Sequence, residues 1–370
     1  MSPPVEIPGL SFGATQTAVE RAIAELRSGR PVVIGFEDQA LLVIGVEALD
    51  AGIAEGFTAL GPGLGRLVLP APRLTRIGAP RSCAGSIALP DMDLARIETL
   101  ALRIDGRIDA PVALATPLDR AALELLGFAL LLPAAVVTPI AGDALPHLLR
   151  VEKEDIAAFH SEQVRSLHVV GRAPVPLEGA VDTEFVVFRG GEGLRDQVAV
   201  VVGKPDLTQA VPVRLHSACL TGDLFGSLKC DCGDQLRDTV QRMARSSGGI
   251  LLYLDQEGRG NGIANKMRAY QLQSQGFDTY EADAALGFDL DQRRFDFAAE
   301  MLRQLGVAAV EIITNNPQKI AALKAAGIDV VADRRVLGRP TAENVRYLAS
   351  KRDRAGHYID FDALTARASD

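Results

Sequence analysis

From His168 onward the chain alternates short apolar runs with helix-period segments, and this alternation constrains the fold more than any other feature. Phe185-Val-Val-Phe, Gln197-Val-Ala-Val-Val-Val, Val211-Pro-Val-Arg-Leu-His, Ile250–Leu254 and Val310–Ile313 read as strands. Asp234–Ala244, Gly262–Gln275, Asp291–Leu305 and Pro317–Ala326 read as helices. Within Asp291–Leu305, the residues Phe295, Ala298, Ala299, Leu302 and Leu305 share one face. Proline opens the last helix, where its missing N–H costs nothing. Strands and helices interleaved in this way predict an α/β domain.

A second α/β pattern precedes it. Val19, Ala22, Ile23 and Leu26 fall on one helical stripe, with Thr15 or Thr17 as the cap and Gly29 as the stop. Strands Pro31–Gly35 and Leu41–Val46 follow. Residues 151–167 are polar and charged and read as a connecting helix or linker. The expectation is a mixed α/β (α+β) chain: an N-terminal α/β domain over 1–150, a linker over 151–167 and a second domain over 168–370. With 370 residues, 48% of them hydrophobic, there is material for two cores.

Net charge −8 argues against nucleic acid as a partner. The apolar run Phe128–Val137 is too short for a bilayer, is broken by Pro133, and reads as a buried strand or helix end. The start Met1-Ser-Pro-Pro-Val-Glu has neither a basic nor an apolar leader segment. Four cysteines in so long a chain do not form a disulfide framework. These features predict a soluble cytoplasmic protein with reduced thiols and no membrane partner.

Three of the four cysteines, Cys219, Cys230 and Cys232, fall within fourteen residues of glycine-punctuated sequence. A Cys-x-Cys at a loop end can aim two sulfurs at one point, and the third arrives from a strand end. Three thiolates would suit zinc at about 2.3 Å and leave one tetrahedral position open, as catalytic sites do. The bland alternative is a set of buried or redox thiols. Cys83 lies far off and reads as a small buried hydrophobe.

Two segments suit an anion. Asp255-Gln-Glu-Gly-Arg-Gly-Asn-Gly joins a strand to a helix, so small residues, a helix N-terminus and the fork of Arg259 converge. An ordinary turn is the alternative. Thr314-Asn-Asn-Pro-Gln-Lys319 does the same, and Lys319 in a first helical turn opposes the helix dipole. Arg214 and His216 alternate along their strand and share a side.

In order, Val213-Arg-Leu-His-Ser-Ala-Cys-Leu-Thr-Gly-Asp, Leu228-Lys-Cys-Asp-Cys-Gly, Gln256-Glu-Gly-Arg, Asn265-Lys-Met-Arg-Ala-Tyr, Leu286-Gly-Phe, Asp291-Gln-Arg-Arg-Phe and Thr314-Asn-Asn-Pro resemble GTP cyclohydrolase II. The resemblance runs from about His168 to Ile359. It implies zinc ligands Cys219, Cys230 and Cys232. It implies acid/base work by Asp291, attack or charge stabilisation at the α-phosphate by Arg293, and Tyr270 beside the reacting ring. GTP contacts would come from Arg214, Leu215, His216, Ser217, Ala218, Gln235, Glu257, Gly258, Arg259, Thr279, Thr314 and Lys319. Many relatives carry Glu where this chain has Ala218, and Gly260-Asn261-Gly262 replaces a more usual Gly-Ile-Gly or Asn-Ile-Gly. The implied reaction releases pyrophosphate from GTP with Mg²⁺ on the phosphates, and opens the guanine imidazole ring by metal-assisted hydrolysis with loss of formate. A homodimer is expected. Val19–Asp38 faintly resembles dihydroxybutanone phosphate synthase, whose chemistry needs an acid-rich loop. Here Phe36-Glu-Asp-Gln-Ala-Leu-Leu supplies two acids, which implies a degenerate or unrelated domain.

Overall fold

The computed structural model describes residues 14–141, 144–190, 196–289, 293–336, 352 and 358. They form two compact units: the described residues up to Glu162 together with Asp283–Asp289, and Gln163–Ala282 together with the described residues from Arg293 on. Both are mixed α/β, as the alternation predicts. Among the described residues no helix is long and apolar enough to cross a membrane.

In the first unit α1 (Ala14–Arg27) leads to β1 (Val32–Phe36) and β2 (Gln39–Gly45). Then come α2 (Ala51–Leu60), β3 (Gly65–Leu69), α3 (Ala71–Arg76), β4 (Gly85–Leu89), α4 (Leu94–Ala101), β5 (Val112–Leu114), α5 (Pro117–Phe128), β6 (Ala135–Ile140), β7 (Arg150–Glu152) and α6 (Lys153–Ser166). Thr15 and Thr17 lie within the described part of α1, so neither stands at its N-cap position. The sheet runs β5-β4-β3-β6-β2-β1-β7, antiparallel except for β1 against β7. Strand alternation sends Ile34, Leu41 and Val43 to α1 and α5, and Val33, Leu42 and Ile44 to α2–α4, so each face buries its own core. The apolar run at Phe128–Val137 resolves into both readings, the end of α5 and the start of β6. Glu37 and Asp38 are the exposed tip of the tight β1–β2 hairpin, where Phe36 pairs with Gln39.

The second unit carries β8 (His168–Pro174), β9 (Thr183–Arg189), β10 (Gln197–Val202), β11 (Val211–Ser217), α7 (Leu220–Asp223), α8 (Cys232–Ala244) and β12 (Gly249–Leu254). It continues through α9 (Gly262–Ser274), α10 (Thr279–Ala285, whose residues from Asp283 count with the first unit), α11 (Asp296–Gln304), β13 (Ala309–Ile313), α12 (Pro317–Ala325) and β14 (Asp329–Arg334). Its sheet order is β14-β13-β11-β12-β10-β9-β8. The strands β14, β13, β11 and β12 are mutually parallel, and β10, β9 and β8 complete the sheet antiparallel. Helices α11 and α12 cover one face through Phe297, Ala298, Leu302 and Leu323. Helix α8 covers the other through Val240 and Met243.

One helix is shorter than its apolar stripe predicts. The segment read as Asp291–Leu305 is helical only from Asp296, with Phe295 as a non-helical cap at φ −117° and ψ 6°. Arg293 therefore stands on the irregular approach to α11. Asp291 lies outside the described residues.

Candidate active site

Parallel strands place their carboxyl ends on one edge of a sheet, and ligands bind along such edges in open α/β sheets. Here β11 delivers Ser217-Ala218-Cys219 to that edge, β12 delivers the loop from Asp255, and β13 delivers Thr314. These are three of the segments that the sequence singled out. Ala218 N–H donates to Leu254 O at 2.7 Å, which locks the exits of β11 and β12 together.

The three thiols converge. Cys219 leaves β11 and caps α7, and Cys230 and Cys232 precede and open α8. Cys219 Sγ and Cys230 Sγ are 3.6 Å apart, and all three sulfurs lie within 4.8 Å of one another. Thiolates about 2.3 Å from one tetrahedral zinc would stand about 3.8 Å apart, so this set of three sulfurs could hold such an ion. Among the described residues it is the sole group of three or more potential metal ligands brought together. Gly222 makes the convergence possible: a Cβ there would lie 2.7 Å from Cys230 Sγ and 3.0 Å from Cys219 Sγ. In the thiol state, hydrogen bonds from Cys230 and Cys232, then the Lys266 charge, push Cys219 far below the ordinary thiol range. Cys230 and Cys232 rise, chiefly through their hydrogen bonds to Cys219, so the three thiols titrate as one coupled set.

Buried charges hold this turn. Asp223 accepts from Cys219 N–H at 2.9 Å and from Tyr253 Oη–H at 3.0 Å, and His216 Nε2 stands 3.1 Å from its Oδ1. The His216 and Tyr253 rings stack with centroids 5.6 Å apart. Burial lowers the His216 pKa, so the ring is neutral and acts here as a structural donor. Glu257, counted among the GTP contacts, has both oxygens engaged by protein: Leu220 N–H donates at 2.6 Å and Lys266 Nζ at 2.7 Å. Its neighbours Gly258 and Arg259 both adopt left-handed backbone, at φ 61° and 62°. For a non-glycine residue this costs about 1–2 kcal/mol. Such strain at a strand-to-helix loop is characteristic of functional sites. The Arg259 guanidinium stacks 4.0 Å over the Tyr280 ring, one residue beyond Thr279 at the start of α10.

Tyr270 projects from α9 with Lys229 Nζ 4.8 Å and Lys266 Nζ 5.5 Å from its ring centroid. Burial pushes its pKa up to about 12, so the hydroxyl keeps its proton at neutral pH. Arg293 reaches the end of β11, with Nη1 3.4 Å from Ser217 Oγ. Other expected ligands work partly as scaffold. Arg214 is buried, donates to Ile313 O at 3.2 Å and to the Gln235 side chain, and burial pulls its pKa down to about 10. Lys319 is also buried, and its Nζ donates to Leu215 O at 2.6 Å. The lysine that opposes its helix dipole thus reaches a strand-end carbonyl. Thr314 is buried at the exit of β13, and its hydroxyl accepts from Asn316 N–H at 3.0 Å. No described contact joins Thr279 to the thiols or to Tyr270.

Sequence reading passed over Lys266, Asp223, Tyr253 and Thr221. Two signals were available: Lys266 sits four residues before Tyr270, hence on its face of α9, and Asp223 follows Cys219 by one helical turn.

The family model for GTP cyclohydrolase II matches residues 168–335. A GTP cyclohydrolase-2 of Xylella fastidiosa (strain Temecula1 / ATCC 700964) is 44% identical over 361 residues, covering 95% of this chain and 90% of that protein. One from Azospirillum brasilense is 40% identical over 365 residues, covering 93% and 94%. One from Vibrio vulnificus (strain CMCP6) is 48% identical over 180 residues, which cover 48% of this chain and 90% of that protein. Identity that spans nearly the whole chain, together with the convergent thiols, leads to one conclusion: the chain belongs to the GTP cyclohydrolase II family and is an enzyme of that kind.

Proposed function

We propose that the chain hydrolyses GTP to 2,5-diamino-6-(5-phosphoribosylamino)pyrimidin-4-one, formate and pyrophosphate, the entry step of riboflavin biosynthesis. The observation that carries this reading is the convergence of Cys219, Cys230 and Cys232 beside Tyr270 at the carboxyl edge of the parallel strands. These cysteines would hold one zinc ion. When bound, the ion supplies Lewis-acid activation for hydrolysis at the imidazole carbon. Mg²⁺ would accompany the phosphates.

The chain's own groups divide the remaining work. Tyr270 holds its proton and is suited to donating a hydrogen bond that orients the ring. Arg293 brings a fixed cation to the end of β11, suited to charge on the α-phosphate as pyrophosphate departs. Asp291, two residues earlier, is the proton carrier in this reading. The Gly258–Arg259 turn and the Thr314 loop would border the nucleotide, and Arg214, Gln235, Glu257 and Lys319 would hold the walls in place. The catalytic domain is assigned to residues 168–370, and the active form to a homodimer.

Residues 1–150 are assigned no synthase activity. Glu37 and Asp38 sit exposed on a two-residue hairpin tip, and among the described residues neither belongs to a group of three potential metal ligands. The Vibrio vulnificus relative, matched over 90% of its length by 180 residues of this chain, carries the same name without the remainder. Turnover of ribulose 5-phosphate by the full-length protein would overturn that assignment. The test of the main reading is formate and pyrophosphate release from GTP by zinc-loaded protein. Cys230→Ser should lose both zinc and formate release, because a hydroxyl replaces a thiolate poorly at zinc. Full zinc occupancy in that variant would refute the ligand set.

A further inference from the structure

We propose that Lys266 is a positioning residue for the metal centre: its ammonium, fixed between Glu257, Cys219 and Thr221, orients the Cys219 sulfur, offsets the charge of the thiolate set and ties that set to Tyr270. The proposal rests on the reading of the three cysteines as zinc ligands.

An ammonium has three N–H donors and no acceptor. Lys266 Nζ has three acceptors in reach: Glu257 Oε1 at 2.7 Å, Cys219 Sγ at 3.1 Å and Thr221 Oγ1 at 3.1 Å. All three hydrogens are therefore directed by protein. A helix lysine ordinarily keeps its head in water, yet the Lys266 side chain is only 11% exposed.

Its partners explain the inversion. Glu257 belongs to the loop after β12, and its other oxygen accepts from Leu220 N–H at the start of α7. Thr221 lies two residues beyond Cys219. One ammonium thus fastens α9 to the loop after β12 and to the turn that presents Cys219. Four residues along α9, on the same face, stands Tyr270, its ring centroid 5.5 Å from Nζ.

Charge balance points the same way. A divalent ion with three thiolates carries −1, and the buried Glu257 beside it makes −2. Lys266 returns the sum to −1. In a buried site an uncompensated charge is costly. A donor aimed at a ligand sulfur also draws electron density away from the metal, the opposite sense to a carboxylate that accepts from a ligating histidine.

Lys266→Met keeps length and removes charge and donors, whereas Lys266→Arg keeps the charge. Zinc affinity is measured against a chromophoric chelator, the cobalt-loaded absorption spectrum reports on the sulfurs, and thermal unfolding reports on the fold. In Lys266→Met zinc affinity should fall about 10–100-fold. The cobalt spectrum should keep three-thiolate intensity while its sulfur-to-metal band moves to longer wavelength. Lys266→Arg should recover most of the affinity. A folded Lys266→Met with affinity within about twofold of the parent and an unmoved band overturns the proposal, even if its melting temperature drops. Should Lys266→Met fail to fold, Lys266→Gln is read by the same two criteria. If the unaltered protein takes up neither zinc nor cobalt, the ligand assignment itself falls and the proposal falls with it.

Discussion

Gly222→Ala offers the sharpest test of the metal site, because one methyl group separates folding from metal binding. The added Cβ would lie 2.7 Å from Cys230 Sγ, 3.0 Å from Cys219 Sγ and 3.1 Å from Cys232 Cβ. To restore an ordinary 3.4 Å contact, the Cys230 sulfur must retreat by about 0.7 Å. Metal–ligand distances tolerate only about 0.2 Å. Without metal, a cysteine side chain can turn away, and alanine is the better helix former by about 0.5–1 kcal/mol. The metal-free variant should therefore fold with a stability change within about 1 kcal/mol. With metal no rotation is available, since all three sulfurs are committed. Zinc affinity should fall by at least about a hundredfold, the upper end for lost supporting contacts and equivalent to about 2.8 kcal/mol. The assay is chelator competition on protein whose fold is checked by circular dichroism, with Gly56→Ala as control, a position with nothing within 4 Å of the new methyl. A folded Gly222→Ala that binds zinc as the parent does would refute the geometry.

Arg293→Ala should reduce pyrophosphate release from GTP by about a hundredfold or more while leaving zinc content intact; near-parental turnover would return Arg293 to an ordinary surface charge. Asp223→Ala leaves Cys219 N–H, Tyr253 Oη–H and His216 without their acceptor, and each such loss costs about 1–3 kcal/mol. A urea titration showing less than about 1 kcal/mol of destabilisation would contradict that network. His216 adds a pH dependence. Its folded pKa is depressed by burial, so below about 6.5 the unfolded chain binds a proton that the folded chain resists. Stability should be full above that value and decline as pH falls through it, and His216→Gln should flatten the decline. An unchanged slope in the variant would assign the effect to other groups.

Much of the second unit was legible because burial leaves a periodic trace. The strands at 185–188, 197–202, 211–216 and 250–254 and the helices from 262 and 317 fall where apolar spacing puts them. The thiols were legible because three cysteines so close together are rare in a chain with four. The start of α11 was not: the stripe Phe295, Ala298, Ala299, Leu302, Leu305 marks a buried face, and nothing in it says where the backbone stops turning. The supporting charges were harder still. Nothing local marks Lys266, because the partner that draws its ammonium inward, Cys219, is 47 positions away in the chain. Lys319 shows the complementary case: its oddity against the helix dipole is visible in the sequence, but its tie to Leu215 O, 104 positions away, is not. Sequence periodicity reports which surface is buried, and it is silent on which charges meet there.

That last tie also has a consequence for how the protein is made. Cys219, Cys230, Cys232 and Lys266 precede β13 and α12 in the chain, so they are synthesised while Arg214 still lacks the carbonyl of Ile313 and Leu215 still lacks Lys319. Strands β11 and β12 neighbour each other in the parallel sheet, but β13 must return across a long stretch of chain to join β11, and such distant pairings form late. If those thiols hold a metal, a chain whose synthesis has stopped short of β13 would present them, open to oxidation, before the tie between Leu215 and Lys319 is made.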